Sequence, residues 1–116
     1  MSNPSVYAEI LEDTPKLARE RERAAIGRAV DLLERASVKG PRSREAVEAL
    51  DYLNRLWSIL IEDLANPEND LPQRLRADLI SIGLWVLREV DRIRLQQSGN
   101  FSALVDVMNT IREGLQ

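Results

Sequence analysis

The sequence contains no cysteine and no histidine. Without cysteine there is no disulfide framework and no thiolate metal site, which fits a reducing compartment. Without histidine, Ser-His and Cys-His catalysis and imidazole-bound zinc or iron are excluded. The carboxylates, lysine, tyrosines and serines that are left form no recognisable catalytic pattern. We therefore expect no enzymatic activity, no metal and no cofactor.

Long apolar runs are also missing. The longest one, residues 79–87, is far too short to span a bilayer and is interrupted by Ser81 and Gly83. No basic region followed by an apolar run opens the sequence, so we expect no signal peptide. Together these absences predict a cytoplasmic protein without membrane insertion.

A basic excess is absent as well, since the net charge is -3 and the pI is about 5.0. Proteins that hold nucleic acid through its phosphates usually carry a basic field, so direct nucleic-acid binding is disfavoured. Residues 16–23 are the most highly charged stretch, but they alternate both signs. We interpret this stretch as a solvated helix surface, with a polar contact to a partner as the alternative.

The 116 residues suffice for one domain, which we place at residues 1–116. Hydrophobic residues make up 44% and charged residues 30%, which is typical of a globular helical protein. Because aromatic residues make up only 4%, leucine, isoleucine, valine and alanine must supply most of the core. The sequence leaves the oligomeric state open.

Helical spacing of apolar residues predicts an all-α fold, an antiparallel bundle of four main helices plus a short N-terminal helix. Gly40-Pro41 and Ser98-Gly99 are the expected stops, and Ser43 and Asn100 the expected N-caps. The predicted short helix covers residues 4–12, and the main helices cover residues 15–38, 43–65, 71–98 and 100–113.

Each main helix carries an apolar stripe. In the first it consists of Ile26, Ala29, Val30, Leu33 and Ala36, with Leu32 beside it. In the second it consists of Ala46, Leu50, Leu53, Trp57, Leu60 and Leu64, widened by Val47, Leu56 and Ile61. In the third it consists of Leu75, Leu79, Ile82, Val86, Val90 and Ile93. In the fourth it consists of Phe101, Leu104, Val105, Met108, Ile111 and Leu115.

A hinge separates the second and third main helices. Its marker residues are Asn66, Asn69, Asp70 and Pro72. Proline disfavours helix at the residue before it, and Asn69 or Asp70 is expected to cap the next helix, with Pro72 in its first turn. Calcium binding is the alternative, but the alternating ligands and the glycine of an EF-hand loop are missing.

The two tryptophans are the best candidate anchors for a binding partner, because tryptophan is enriched in binding hot spots. Trp57 lies on an apolar stripe, so a buried position in the core is the alternative to partner binding for this residue. Trp85 lies beside its stripe, and its position is balanced between a groove and the core. Leu84 and Leu87 add apolar surface next to it. We predict a partner-binding groove formed by Trp57, Leu84, Trp85 and Leu87.

An ordered set of residues resembles the flagellar protein family FlaF, whereas residues 18–36 are generic helix. The resemblance covers nearly the whole chain and is strongest between Leu56 and Val86. The matching residues are Tyr7-Ala8, Trp57, Asp63-Leu64, Asn69, Leu71-Pro72, Leu75, Ala77, Leu79, Ser81-Ile82-Gly83, Trp85-Val86, Leu104-Val105, Met108-Asn109, Ile111 and Gly114-Leu115.

The resemblance implies a regulator of flagellum assembly. Two roles follow from it. The first is a cytoplasmic export chaperone that holds the helical ends of flagellin before secretion. The alternative is a post-transcriptional regulator that acts with the partner FlbT on flagellin mRNA.

Overall fold

The computed structural model describes the backbone of residues 14–114 and the side chains of residues 20–114. It contains four helices in this range and no strand, so the predicted all-α fold with four main helices is confirmed. The predicted short helix at residues 4–12 lies outside the described residues. The helices are α1 (Thr14–Lys39), α2 (Arg44–Ala65), α3 (Gln73–Arg94) and α4 (Phe101–Gly114).

The turn between α1 and α2 follows the predicted signals. The amide of Gly40 donates to the carbonyl of Ala36 at 2.8 Å, and Gly40 has φ 99°, in the left-handed region that glycine tolerates best. Ser43 is the N-cap of α2: its Oγ accepts from the amide of Ala46 at 3.1 Å and donates to the carbonyl of Gly40 at 2.7 Å. One serine therefore ties both helix ends together.

The α3 helix is shorter at both ends than predicted. It begins at Gln73 with Pro72 at the N-cap position and no side-chain cap, so the predicted cap by Asn69 or Asp70 is wrong. It ends at Arg94, before the predicted stop at Ser98-Gly99.

The early end of α3 is a Schellman motif. The amide of Gln96 donates to the carbonyl of Ile93 at 3.0 Å, and the amide of Gln97 donates to the carbonyl of Arg92 at 2.8 Å. Gln96 has φ 60° and occupies the left-handed position that is usually glycine. The helix therefore stops at a residue that gives no stop signal in the sequence.

The core is built from the predicted stripes, with two corrections. The whole α1 stripe is buried, and so are Trp57 in α2 and Leu104 in α4. Val47 was expected to widen the α2 stripe but is 67% exposed. On α3 the stripe is buried only in its second half; these buried residues are Val86, Val90 and Ile93, whereas Leu75 is exposed and Leu79 and Ile82 are half-buried.

The helices do not form a closed four-membered ring. In the described part of the chain, α1 packs extensively along α2 and α4, and α3 packs extensively only along α2. Arg112 near the end of α4 lies close to Gly27 of α1, while Arg42 after α1 bonds Gln96 before α4, so α4 runs antiparallel to α1. Within residues 14–114, no helix is long and apolar enough to cross a membrane.

Candidate functional site: an apolar groove between α3 and α4

Close contact at Gly83 fixes α3 against α2. A Cβ atom at Gly83 would lie 2.5 Å from Cε3 and 2.9 Å from Cζ3 of Trp57, and 3.0 Å from Cδ1 of Ile61. Only a residue without a side chain lets the two helices approach this far. Trp57 is 1% exposed, so its indole serves as the packing surface for α3.

A buried carboxylate organises the turn between α3 and α4. Glu89 is 4% exposed; its Oε1 accepts from Ser98 Oγ at 2.6 Å and its Oε2 accepts from Arg92 Nη1 at 3.0 Å. Ser98 Oγ in turn accepts from the amide of Asn100 at 3.2 Å. Asn100 caps α4, as predicted, because its Oδ1 accepts from the amide of Ala103 at 3.2 Å. The chain of bonds holds the start of α4 to the last turns of α3.

Beyond this turn α3 and α4 leave a groove of about 440 Å³ between them. Ile82, Trp85, Val107 and Ile111 are half-buried and pack against the core from the groove side. The complete lining is Ser81, Ile82, Trp85, Asp106, Val107, Thr110 and Ile111. The groove is therefore apolar, with polar side chains only at Ser81, Asp106 and Thr110.

The structure separates the four residues predicted to bind a partner. Trp85 lines the groove, and Trp57 is in the core. Leu84 is 44% exposed and Leu87 is half-buried. Because successive helix residues are about 100° apart, Leu84 and Leu87 lie about 60° from each other, whereas Leu87 lies about 160° from Trp85. Leu84 and Leu87 thus belong to a different flank of α3 from the groove.

The α4 side of the groove was missed by the sequence analysis. Val107 and Ile111 are four residues apart, and Thr110 lies between them, so the three share one helix side. This spacing was the available signal, but Ile111 had been assigned to the core stripe and Val107 lies beside it. Only the separation of α3 from α4 turns these residues into a groove wall.

The predicted hinge residues form a well-bonded connection. Asn66 Oδ1 accepts from the amide of Glu68 at 2.9 Å, and Asn69 Oδ1 accepts from the amide of Leu71 at 3.0 Å, which is the Asx-turn pattern. Asn69 Nδ2 donates to the carbonyl of Asp63 at 3.1 Å, and Arg76 Nη1 donates to the carbonyl of Asn66 at 3.3 Å. These side chains satisfy the end of α2 and the loop. Within residues 20–114, no group of three or more acidic side chains is arranged to hold a metal ion.

Comparison with known proteins agrees with the resemblance found in the sequence. The family model described as flagellar protein FlaF matches residues 4–115. No curated protein and no solved structure matches the chain. Because the family match spans nearly the whole chain, including both walls of the groove, the protein belongs to the FlaF family of flagellar proteins.

Proposed function

We propose that this flagellar protein is an export chaperone for flagellin, and that it holds the helical ends of flagellin in the groove between α3 and α4, in the cytoplasm, before secretion. The observation that carries this proposal is the apolar lining by Ile82, Trp85, Val107 and Ile111. An amphipathic helix that lays its apolar face into such a groove is a recurrent mode of recognition.

The shape of the groove supports a helix as the occupant. Its α4 wall is 14 residues long, which is about 21 Å, whereas the α3 wall continues to Gln73 over 22 residues, or about 33 Å. Along this extension Leu75 is 43% exposed and Leu79 is half-buried. A bound helix that continues past the end of α4 would cover them and would complete the fourth position of the bundle.

The first experiment mixes the purified protein with flagellin monomer and measures the mass of the complex by size-exclusion chromatography with light scattering. A stoichiometric complex is expected. The groove is then tested with Ser81→Gln, because Ser81 is an exposed lining residue that is not part of the core, so a longer side chain there is expected to obstruct the groove without disturbing the fold. This variant should weaken flagellin binding at least tenfold, which corresponds to about 1.4 kcal/mol.

The matched control is Ser37→Gln, because Ser37 is exposed on α1. It should bind flagellin like the original chain, and both variants should keep the original helicity and melting temperature. Equal binding by Ser81→Gln and Ser37→Gln would refute the groove as the flagellin site. Trp85→Ala is the less informative variant, because Trp85 also packs against the core and its loss reduces stability together with binding.

The regulatory role with FlbT on flagellin mRNA is the second candidate, and one observation favours it. Lys39, Arg42 and Arg44 are exposed around the turn between α1 and α2. A phosphate-binding surface there predicts binding of flagellin leader RNA that falls steeply with salt concentration. Such binding, abolished by charge reversal at Arg42 and Arg44, together with no complex with flagellin, would reverse the order of the two candidates.

A further inference from the structure

We propose that the helix held in this groove is cationic along its flanks, and that its basic residues meet a band of carboxylates that runs from the groove to the loop between α2 and α3. The inference rests on the proposed function, because it names the chemistry of the segment that occupies the same groove. It follows from where the charge of the chain is located.

The negative charge of the protein is concentrated at one end. Residues 62–78 contain five acidic and two basic residues, a difference of -3, and the whole chain also has a net charge of -3, so the other residues are neutral in total. The acidic residues are Glu62, Asp63, Glu68, Asp70 and Asp78, and all of them are exposed. This is the end at which α3 extends beyond α4.

Two carboxylates border the groove itself. Asp106 lines its α4 wall, and Asp78 lies one turn before Ile82 on the groove side of α3. Both are exposed, and within residues 20–114 neither is in an ion pair. The basic residues on this side of α3 are Arg74, one turn before Asp78, and Arg88 and Arg92 toward the turn between α3 and α4, where Arg92 is paired with Glu89. Arg76 is directed to the carbonyls of Leu64 and Asn66.

Charge distinguishes between the possible occupants. A second copy placed on the groove by a two-fold axis would add its own Asp78 and Asp106 to the same interface, and like charges within an interface oppose binding. The first 13 residues of the chain contain three acidic residues and no basic side chain, so they too would be repelled. A partner helix with an apolar stripe between lysine or arginine residues suits both the groove and its border.

Two synthetic 14-residue helical peptides test the inference on the full chain. They share one leucine and isoleucine stripe, and their flanks carry either lysine or glutamate. Binding is followed by the tryptophan fluorescence of the protein. The lysine peptide should bind about tenfold more tightly than the glutamate peptide at low salt, because each exposed ion pair contributes little free energy but two or three act together. The ratio of the two affinities should decrease as added salt screens the ion pairs.

The double variant Asp78→Asn with Asp106→Asn should reduce this preference to twofold or less, while the matched control Asp31→Asn with Glu34→Gln, both exposed on α1, should leave it unchanged. Equal binding of the two peptides, or an unchanged preference in the double variant, would overturn the inference. The inference would also be overturned if a peptide of residues 1–13 competed with the lysine peptide for binding, or if the chain formed a dimer that Ser81→Gln dissociates.

The two proposals fail in different ways. If Ser81→Gln weakens flagellin binding but the lysine and glutamate peptides bind equally, the chaperone groove stands and the charge inference falls. If Ser81→Gln leaves flagellin binding unchanged, the groove is not the flagellin site and both proposals fall.

Discussion

Replacing either of two mid-helix glycines by alanine should change stability in opposite directions. Gly83 of α3 and Gly27 of α1 both sit inside helices, where alanine is favoured over glycine by about 1 kcal/mol. At Gly27 a Cβ atom would be 3.5 Å from Arg112 Nη1, an ordinary contact, so Gly27→Ala should stabilise the protein by up to about 1 kcal/mol. At Gly83 the close packing around the new Cβ atom has the opposite effect, so alanine should destabilise the protein.

The cost at Gly83 follows from the distance to Trp57. Carbon atoms pack at about 3.5–4.0 Å, so a Cβ atom 2.5 Å from Cε3 must be relieved by a shift of about 1 Å. Neither Trp57 nor Gly83 has free space to move into, because both are buried. Overpacking of this kind costs about 1–3 kcal/mol, and with the helix propensity of about 1 kcal/mol subtracted we expect Gly83→Ala to destabilise the protein by about 1 kcal/mol, and by about 2 kcal/mol at most.

The assay is urea unfolding followed by circular dichroism, with differences in free energy taken from the midpoints at constant m-value. A second background makes the test sharper. Trp57→Leu removes both ring atoms that the new Cβ would meet, so Gly83→Ala in that background should be neutral or stabilising by up to about 1 kcal/mol. If Gly83→Ala is as stable as the original chain, or if Trp57→Leu does not change its effect, the close-contact argument is refuted.

Two further predictions concern the turn between α3 and α4. Gln96→Gly should raise the free energy of unfolding by about 1 kcal/mol, because glycine adopts the left-handed conformation without strain. The control Gln96→Ala should not stabilise the protein, and chemical unfolding measures both variants. Glu89→Ala should lower the free energy of unfolding by about 2 kcal/mol, because Ser98 loses its buried acceptor, whereas Glu48→Ala, at an exposed site of α2, should change the midpoint little.

The helices themselves were predictable because their apolar spacing and end signals agree. Gly40 and Ser43 are residues whose chemistry is specific to a helix end, and the structure uses both as expected. Gln96 shows the limit: a left-handed residue at a helix end is usually glycine, so no local signal marks a glutamine in that position. The end of α3 was therefore placed too late.

The groove was only partly predictable. An apolar stripe looks the same in the sequence whether its own chain or another molecule covers it. The sequence therefore predicts a core position for both Leu75 and Val90, although only Val90 is buried. Trp85 was identified as a groove candidate because it lies beside the stripe. Its grouping with Leu84 and Leu87 was not supported by helix geometry, and its true neighbour Val107 comes from a helix whose position depends on α1.

The short length of α4 has a consequence for the internal motions of the protein. Within residues 14–114, the four-helix part of the bundle ends with Gly114, and beyond it the first half of α3 packs extensively only along α2. Local unfolding requires little energy where few apolar side chains are buried, so backbone amides of Leu75 and Leu79 should exchange with solvent through small openings, while those of Val86 and Val90 exchange only when the whole domain unfolds. The half of α3 that the proposed occupant would cover beyond the end of α4 is thus the half that is free to adjust its conformation.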